Sequence, residues 1–124
     1  MIDHVSIPVR DLERSAAFYE AILAEVNIKK LAQRTHTVGF GKRYPELWLN
    51  VRPTVAREQL SDGFHVCLRA ASIEHVQAFF RTAMALGGKA DGAPGFRQEY
   101  SDNYYAAFIL DFDGNRIEVV TFTG

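Results

Sequence analysis

The chain has 124 residues, the length of one domain, and its 48% hydrophobic and 23% charged content is typical of a folded globular protein. Its formal net charge of −1 gives no reason to expect nucleic acid or an anionic membrane surface as a partner. Because no long apolar run and no signal-like start is present, we expect a cytoplasmic protein without a membrane span.

The first part of the chain predicts a β-α-β-β-β unit over residues 1–51. Apolar residues from Val5 to Val9 alternate with polar ones, which indicates a half-buried strand with His4 and Ser6 on the opposite face. Asp11 is a suitable N-cap for an amphipathic helix over 12–24. Strand-like runs then follow at about 26–32, 36–41 and 46–51.

After a polar connector at 52–62, the same order of elements returns over residues 63–122. A strand is predicted from Phe64 to Ala70, followed by a helix that Ser72 caps and Gly87-Gly88 ends. A segment rich in Gly and Tyr, Gly87–Tyr105, is typical of a long loop, and two strands close the chain around an Asp113-Gly114 turn. Cys67, the only cysteine, cannot form an internal disulfide and is interpreted as a small buried hydrophobe.

The two units also match in sequence. A shift of 61 positions places His4 on His65 and Val5 on Val66. The same shift places four further residues, Glu13, Ala17, Phe18 and Ala24, on identical residues of the second unit. The chain therefore predicts an internal repeat in which each copy opens on a histidine.

Three polar residues stand in strands where apolar residues would be expected: His4, His65 and Glu118. Their neighbours on either side are directed toward the helices, so all three project from the other face of the sheet. Two imidazoles and one carboxylate form a metal site with open positions for water or substrate. The alternative for each histidine alone is an ordinary solvated or hydrogen-bonded side chain.

The chain resembles the vicinal oxygen chelate superfamily in its paired βαβββ units, its DHV start, its second HV strand and its DFDGNRIEVV segment. That superfamily includes glyoxalase I, fosfomycin-resistance enzymes, extradiol dioxygenases and bleomycin-resistance proteins. The resemblance covers nearly the whole chain. It implies an α+β fold in which two tandem βαβββ modules form a cupped mixed sheet. It also implies that His4, His65 and Glu118 are the metal ligands and that the ion is Fe, Mn, Zn or Ni.

The fourth ligand of glyoxalase I has no clear counterpart. Matching LWL to IEV places Trp48 on the position equivalent to Glu118. Glu46, two residues earlier, could ligate only if the strand register were shifted, and its alternative is a solvated turn residue. Trp48 could form a flat wall for an aromatic or apolar ligand, or belong to the core.

The late loop supplies the remaining pocket candidates. Arg97 could bind a carboxylate or phosphate, and its alternative is a surface residue. Tyr100, Tyr104 and Tyr105 could stack on a ligand or donate hydrogen bonds, with one of the adjacent pair expected in the core. No catalytic base is predicted, because His36 is expected on a strand and His75 on the exposed face of the second helix.

The sequence therefore predicts a metal-dependent lyase, isomerase or dioxygenase acting on a small oxygenated substrate. The alternative is a metal-free binding protein of the bleomycin-resistance type. The resemblance also implies a homodimer, and the sequence leaves open whether His4 and His65 meet within one chain or between two.

Overall fold

The computed structural model describes residues 1–54 and 63–124 and contains two consecutive βαβββ modules. The first comprises β1 (Val5–Val9), α1 (Leu12–Ala24), β2 (Lys29–Gln33), β3 (Thr37–Gly41) and β4 (Leu47–Val51). The second comprises β5 (Val66–Arg69), α2 (Ile73–Ala85), β6 (Lys89–Phe96), β7 (Tyr104–Leu110) and β8 (Arg116–Phe122). The predicted α+β fold is confirmed, while most of the predicted connector lies outside the described residues.

Each module forms a four-stranded mixed sheet. The strand orders are β1-β4-β3-β2 and β5-β8-β7-β6, so the two modules repeat the same topology. In each sheet the first and last strands of the module pair in parallel, and the other pairs are antiparallel. Strands β1 and β5 are therefore both sheet edges in the described part of the chain, a point that matters for the site.

Side-chain caps and apolar faces explain the two helices. The Asp11 carboxylate accepts a hydrogen bond from the Arg14 backbone N–H, and the Ser72 hydroxyl accepts one from the His75 backbone N–H. Gly87 follows α2 with φ of 97°, a left-handed conformation that favours glycine at a helix end. The helices bury their apolar faces against the sheets, and none in the described ranges is long and apolar enough to cross a membrane.

The predicted loop at Gly87–Tyr105 is wrong in part, because β6 occupies residues 89–96. Gly and Pro disfavour a central strand, but β6 is a sheet edge, where both are tolerated. Its pairing with β7 shifts register on both sides of Gly92, so the strand is bulged. The connection that remains before β7 spans only residues 97–103.

The turn between β7 and β8 holds the two modules together. Asp111 is buried and accepts hydrogen bonds from the Tyr19 hydroxyl at 2.7 Å and from the backbone N–H groups of Asp113 and Asn115. Its pKa is raised chiefly by burial, although these hydrogen bonds oppose the shift. Arg10 pairs with Asp113 at 3.1 Å. The DFDGN motif is therefore an anchor for the first module, a role that the sequence did not indicate.

Candidate functional site

Glu118 lies at the centre of the site, on the face of the second sheet that points away from α2. This face, called the distal face, carries Cys67, Arg69, Tyr104, Phe108, Glu118 and Phe122, as the strand registers require. Glu118 is only 2% exposed, while the side chain of His65 is 35% exposed at the solvent boundary. The distance from Glu118 Oε1 to His65 Nε2 is 3.0 Å, so the fold brings together two of the predicted ligands.

The second oxygen of Glu118 is held by a tyrosine. The Tyr104 hydroxyl donates to Oε2 at 2.5 Å, a short distance typical of a charge-assisted hydrogen bond. The pKa of this hydroxyl is raised well above its ordinary value by burial and by the bond to Glu118. Tyr104 therefore stays a proton donor and fixes the orientation of the carboxylate.

Cys67 stands directly across the ladder from Glu118. The interpretation as a buried hydrophobe is wrong, because the residue is exposed at the edge strand β5. Partial desolvation of the thiol and the negative charge of Glu118 raise the pKa of Cys67 to about 12. The thiol is thus protonated near neutral pH and unreactive as a nucleophile.

Aromatic rings, called the aromatic wall, border this polar centre on one side. The Phe108 ring meets His65 edge to face with 5.8 Å between centroids, and Tyr104 contacts both Phe122 and Tyr100. Neither Phe108 nor Phe122 was predicted as a pocket residue, although alternation along β7 and β8 places both on the same face as Glu118. The wall can exclude water from one side of the carboxylate and contact an apolar part of a ligand.

The other residues of the predicted pocket are divided between the two faces. Arg97 donates to the backbone carbonyls of Ala93 and Gly95, and its guanidinium lies 5.8 Å from the Phe108 ring centroid. It therefore supports the bulged β6 strand at the border of the site. Tyr105 lies on the helix side, where its hydroxyl accepts a hydrogen bond from Gln77, so it cannot contact a ligand on the distal face.

His4 does not join the His65–Glu118 pair within the same chain. It precedes β1, its side chain is 50% exposed, and its Nδ1 contacts Asp3 Oδ1 at 2.8 Å. Within residues 1–54 and 63–124, no three His, Cys, Asp or Glu side chains are grouped so that they could hold a metal ion. A single chain therefore provides the His65–Glu118 pair without His4.

The first sheet carries a tryptophan where the second carries Glu118. Ser6 pairs with Trp48 in the parallel ladder of the first module, as Cys67 pairs with Glu118 in the second. Glu46 comes two residues earlier, and its side chain accepts a weak 3.4 Å hydrogen bond from the Lys42 backbone N–H. The register therefore supports the match of Trp48 to Glu118 and leaves Glu46 outside that position.

The donor chemistry of the His65–Glu118 pair fits a divalent ion in part. An imidazole nitrogen, of intermediate softness as a ligand, and a carboxylate oxygen lie 3.0 Å apart, and Zn, Mn, Fe and Ni all bind ligands of these two types. Further donors must come from outside the pair, from substrate, water or another chain.

A family model described as the Glyoxalase/Bleomycin resistance protein/Dioxygenase superfamily matches residues 1–119. The chain belongs to this superfamily. The resemblance noted in the sequence is thereby confirmed, including its extent over nearly the whole chain. A search of curated protein sequences found no significant match.

Solved structures of the same superfamily share the fold. A glyoxalase/bleomycin resistance protein from Albidiferax ferrireducens is 29% identical, with a TM-score of 0.80 and 95% of each chain covered. The fosfomycin resistance protein FosX from Listeria monocytogenes is 19% identical, with a TM-score of 0.73 and coverage of 99% of this chain and 93% of that one. The structure of a FosX variant contains Mn(II) and 1S,2S-dihydroxypropylphosphonic acid. This variant is 18% identical, with a TM-score of 0.73 and coverage of 99% of this chain and 90% of that one.

Proposed function

We propose that this member of the superfamily is a metal-dependent enzyme in which His65 and Glu118 hold a divalent ion. The observation that carries the proposal is the buried Glu118 carboxylate with a nitrogen of the part-exposed His65 imidazole 3.0 Å from one oxygen. Burial of a carboxylate costs free energy unless it is paired, so a side chain kept in this position is suited to a cation.

His4 completes the ligand set from a second copy of the chain. It is the counterpart of His65 in the internal repeat, it is half exposed, and it precedes β1, an edge strand in the described part of the chain. Strand β5, which follows His65, is likewise a sheet edge among the described residues, and it lies next to the site. A homodimer that joins these regions supplies the third donor that one chain lacks.

A divalent ion bound here would supply Lewis-acid polarisation of two adjacent substrate oxygens. The chain's own residues have other tasks: Tyr104 orients Glu118, and Phe108 and Phe122 exclude water from the carboxylate. The substrate class is a small oxygenated molecule, and the reaction is of lyase, isomerase or dioxygenase type. The Mn(II) complex of the FosX variant makes manganese the first ion to test among Fe, Mn, Zn and Ni.

A second candidate function is metal-free binding of a small molecule, and one observation favours it. Glu118 already has partners on both oxygens, since His65 contacts one and the Tyr104 hydroxyl donates to the other without a cation. The aromatic wall of Phe108, Phe122 and Tyr100 would then bind a flat apolar ligand.

Metal content separates the two functions. The untagged protein is purified without chelator, reconstituted with each ion, and analysed by mass spectrometry together with His65→Ala, Glu118→Gln and His4→Ala. His75→Ala is the matched control, because His75 lies in the first turn of α2, where its ring contacts the Ser72 hydroxyl, and is away from the distal face. We expect about one equivalent per chain in the wild type and the control, and affinity at least tenfold weaker in the three variants.

Sedimentation of the same samples tests the shared site. A dimer in which one chain carries His4→Ala and the other carries His65→Ala should keep one of its two sites, because the intact His4 and His65 then meet at only one of them. Failure of every ion to bind the wild type would overturn the enzyme proposal and favour the metal-free binder.

A further inference from the structure

One row of residues crosses the distal face of the second sheet at right angles to its strands. Gly92 of β6 pairs with Phe108 of β7, and Phe108 pairs with Glu118 of β8. Paired residues of neighbouring strands point to the same face, so the row runs from the edge strand β6 to the proposed metal centre. Because neighbouring strands lie about 4.8 Å apart, roughly 10 Å separate Gly92 from Glu118.

The guanidinium of Arg97 lies at the glycine end of this row. A Cβ at Gly92 would lie 3.2 Å from Arg97 Nη2, and a Cβ at Gly95 would lie 3.2 Å from Nη1. The two glycines therefore leave the space in which the guanidinium lies. Nη2 donates to the Ala93 carbonyl at 2.8 Å and Nη1 to the Gly95 carbonyl at 3.1 Å, so the charged group is held in place.

The positive charge of Arg97 has no acidic partner among the described residues. Asp91, the acidic residue of β6, pairs with Arg116 at 2.7 Å instead. A guanidinium has five N–H groups, and only two of those of Arg97 donate within the described part of the chain. The remaining donors can bind an oxyanion, and a single arginine balances the single charge of a carboxylate.

An apolar surface connects this arginine to the proposed metal centre. The Arg97 guanidinium lies 5.8 Å from the centroid of the Phe108 ring, and the same centroid lies 5.8 Å from that of the His65 ring. Phe108 is only partly buried, so part of it is in contact with water. The apolar body of a ligand that spans the row would replace this water.

We propose that Arg97 is a specificity-determining residue, which binds the carboxylate of a substrate whose apolar body lies on Phe108. The two adjacent oxygens of the same substrate lie at the Glu118 end of the row. This inference rests on the proposed function and names its substrate class: small monocarboxylates that carry two adjacent oxygens at the opposite end of an apolar body. Arginine suits the task, because its planar group can donate two parallel hydrogen bonds to a carboxylate.

Binding to Arg97 is measured without metal, so that the result does not depend on the proposed reaction. Protein treated with chelator is titrated with hydrocinnamate and with its neutral amide, hydrocinnamamide, and the backbone amides are followed by nuclear magnetic resonance. We expect saturable binding of the carboxylate and about fivefold weaker binding of the amide. The largest shifts should lie in residues 92–97 and 104–108.

Variants separate binding of the carboxylate from support of β6. Arg97→Gln should bind the carboxylate and the amide equally, because the charge is removed, whereas a purely structural role would weaken both and keep the preference. Arg97→Lys keeps the charge without the planar pair of donors and should show a smaller preference than the wild type. Arg81→Gln is the matched control, since Arg81 is an exposed cation on α2, and it should keep the full preference.

A second experiment, by calorimetry on protein loaded with Mn(II), tests the connection to the metal centre. Dihydrocaffeate has the carboxylate of hydrocinnamate and two adjacent oxygens in addition, so it should bind about tenfold more tightly. Loss of this gain with an intact carboxylate preference would overturn the metal-dependent function while supporting the anion site. Loss of the preference with an intact gain would overturn the role of Arg97 alone.

Equal binding of the carboxylate and the amide by the wild type would overturn the inference. An unchanged preference in both Arg97 variants, or an equal loss in Arg81→Gln, would do the same. Tighter binding of phenethylphosphonate than of hydrocinnamate would overturn the assignment to a carboxylate, because it would show that the site takes a doubly charged group.

Discussion

At the scale of single residues, Glu118 determines the properties of its neighbours. Its buried charge is stabilised by Tyr104 and His65, and it raises the pKa of the Cys67 thiol across the ladder. A polar residue in a strand of apolar neighbours was a correct signal for a site. Which side chains lie next to that charge depends on strand register, so Cys67 was misinterpreted as a buried hydrophobe and Phe108 was not named.

The thiol gives a direct test of this environment, because Cys67 is the only cysteine. Since its pKa is raised to about 12, the thiolate fraction of the metal-free protein should keep rising through pH 10. We expect the rate of alkylation by iodoacetamide to increase about tenfold per pH unit from 7 to 10 without a plateau. The rate for a thiol with an ordinary pKa of about 8.5 would begin to level off near pH 9.

Glu118→Gln is the informative variant for the same measurement. Removal of the negative charge should lower the pKa of Cys67, so the variant is alkylated faster than the wild type at pH 8. Identical pH profiles for wild type and variant would show that the charge of Glu118 does not act on the thiol.

At the scale of elements, the two sheets use equivalent positions differently. Trp48 in β4 replaces the carboxylate that β8 provides, and Gly39 of β3 pairs directly with it. A Cβ at Gly39 would come within 2.8 Å of the Trp48 ring and of Pro45. The missing side chain of Gly39 therefore leaves the space that Trp48 occupies.

Gly39→Ala should displace the Trp48 ring and destabilise the protein by about 1–3 kcal/mol, because the added methyl group overpacks the contact. Trp48 is the only tryptophan, so a red shift of its fluorescence reports the displacement. Gly124→Ala is the control, because nothing lies within 4 Å and the last residue of the chain can leave its φ of 84° without moving other residues. An unshifted spectrum with unchanged stability in urea would contradict this account of the contact.

At the scale of the whole molecule, the β7–β8 turn joins the modules through buried polar contacts. Besides the Tyr19–Asp111 hydrogen bond, Asn115 Nδ2 donates to the Pro8 carbonyl at 2.9 Å, and Phe18 packs on Phe112. The first module has no comparable turn in its described residues, since β3 and β4 are joined around Lys42–Pro45 without such contacts to the second module. The pseudo-symmetry of the fold is broken where the modules meet.

Tyr19→Phe should lower the free energy of unfolding by about 1–3 kcal/mol, because it removes a donor to the buried Asp111 carboxylate. Tyr44→Phe is the matched control, since Tyr44 is 50% exposed and should change stability by less than about 0.5 kcal/mol. Urea unfolding of both metal-free variants measures the difference. Equal stability of the two variants would show that the contact between modules contributes little.

The sequence by itself determined the elements and their faces. Alternation predicted β1 and β8, the caps at Asp11 and Ser72 predicted the helices, and the repeat of His4 and His65 indicated the tandem modules, because all these signals are local or periodic. Only the tertiary structure decided that β6 is a bulged edge strand, that Tyr105 faces the helices while Tyr104 holds Glu118, and that Asp111 anchors α1. These facts depend on strand register and on contacts between distant segments, which no single stretch of sequence encodes.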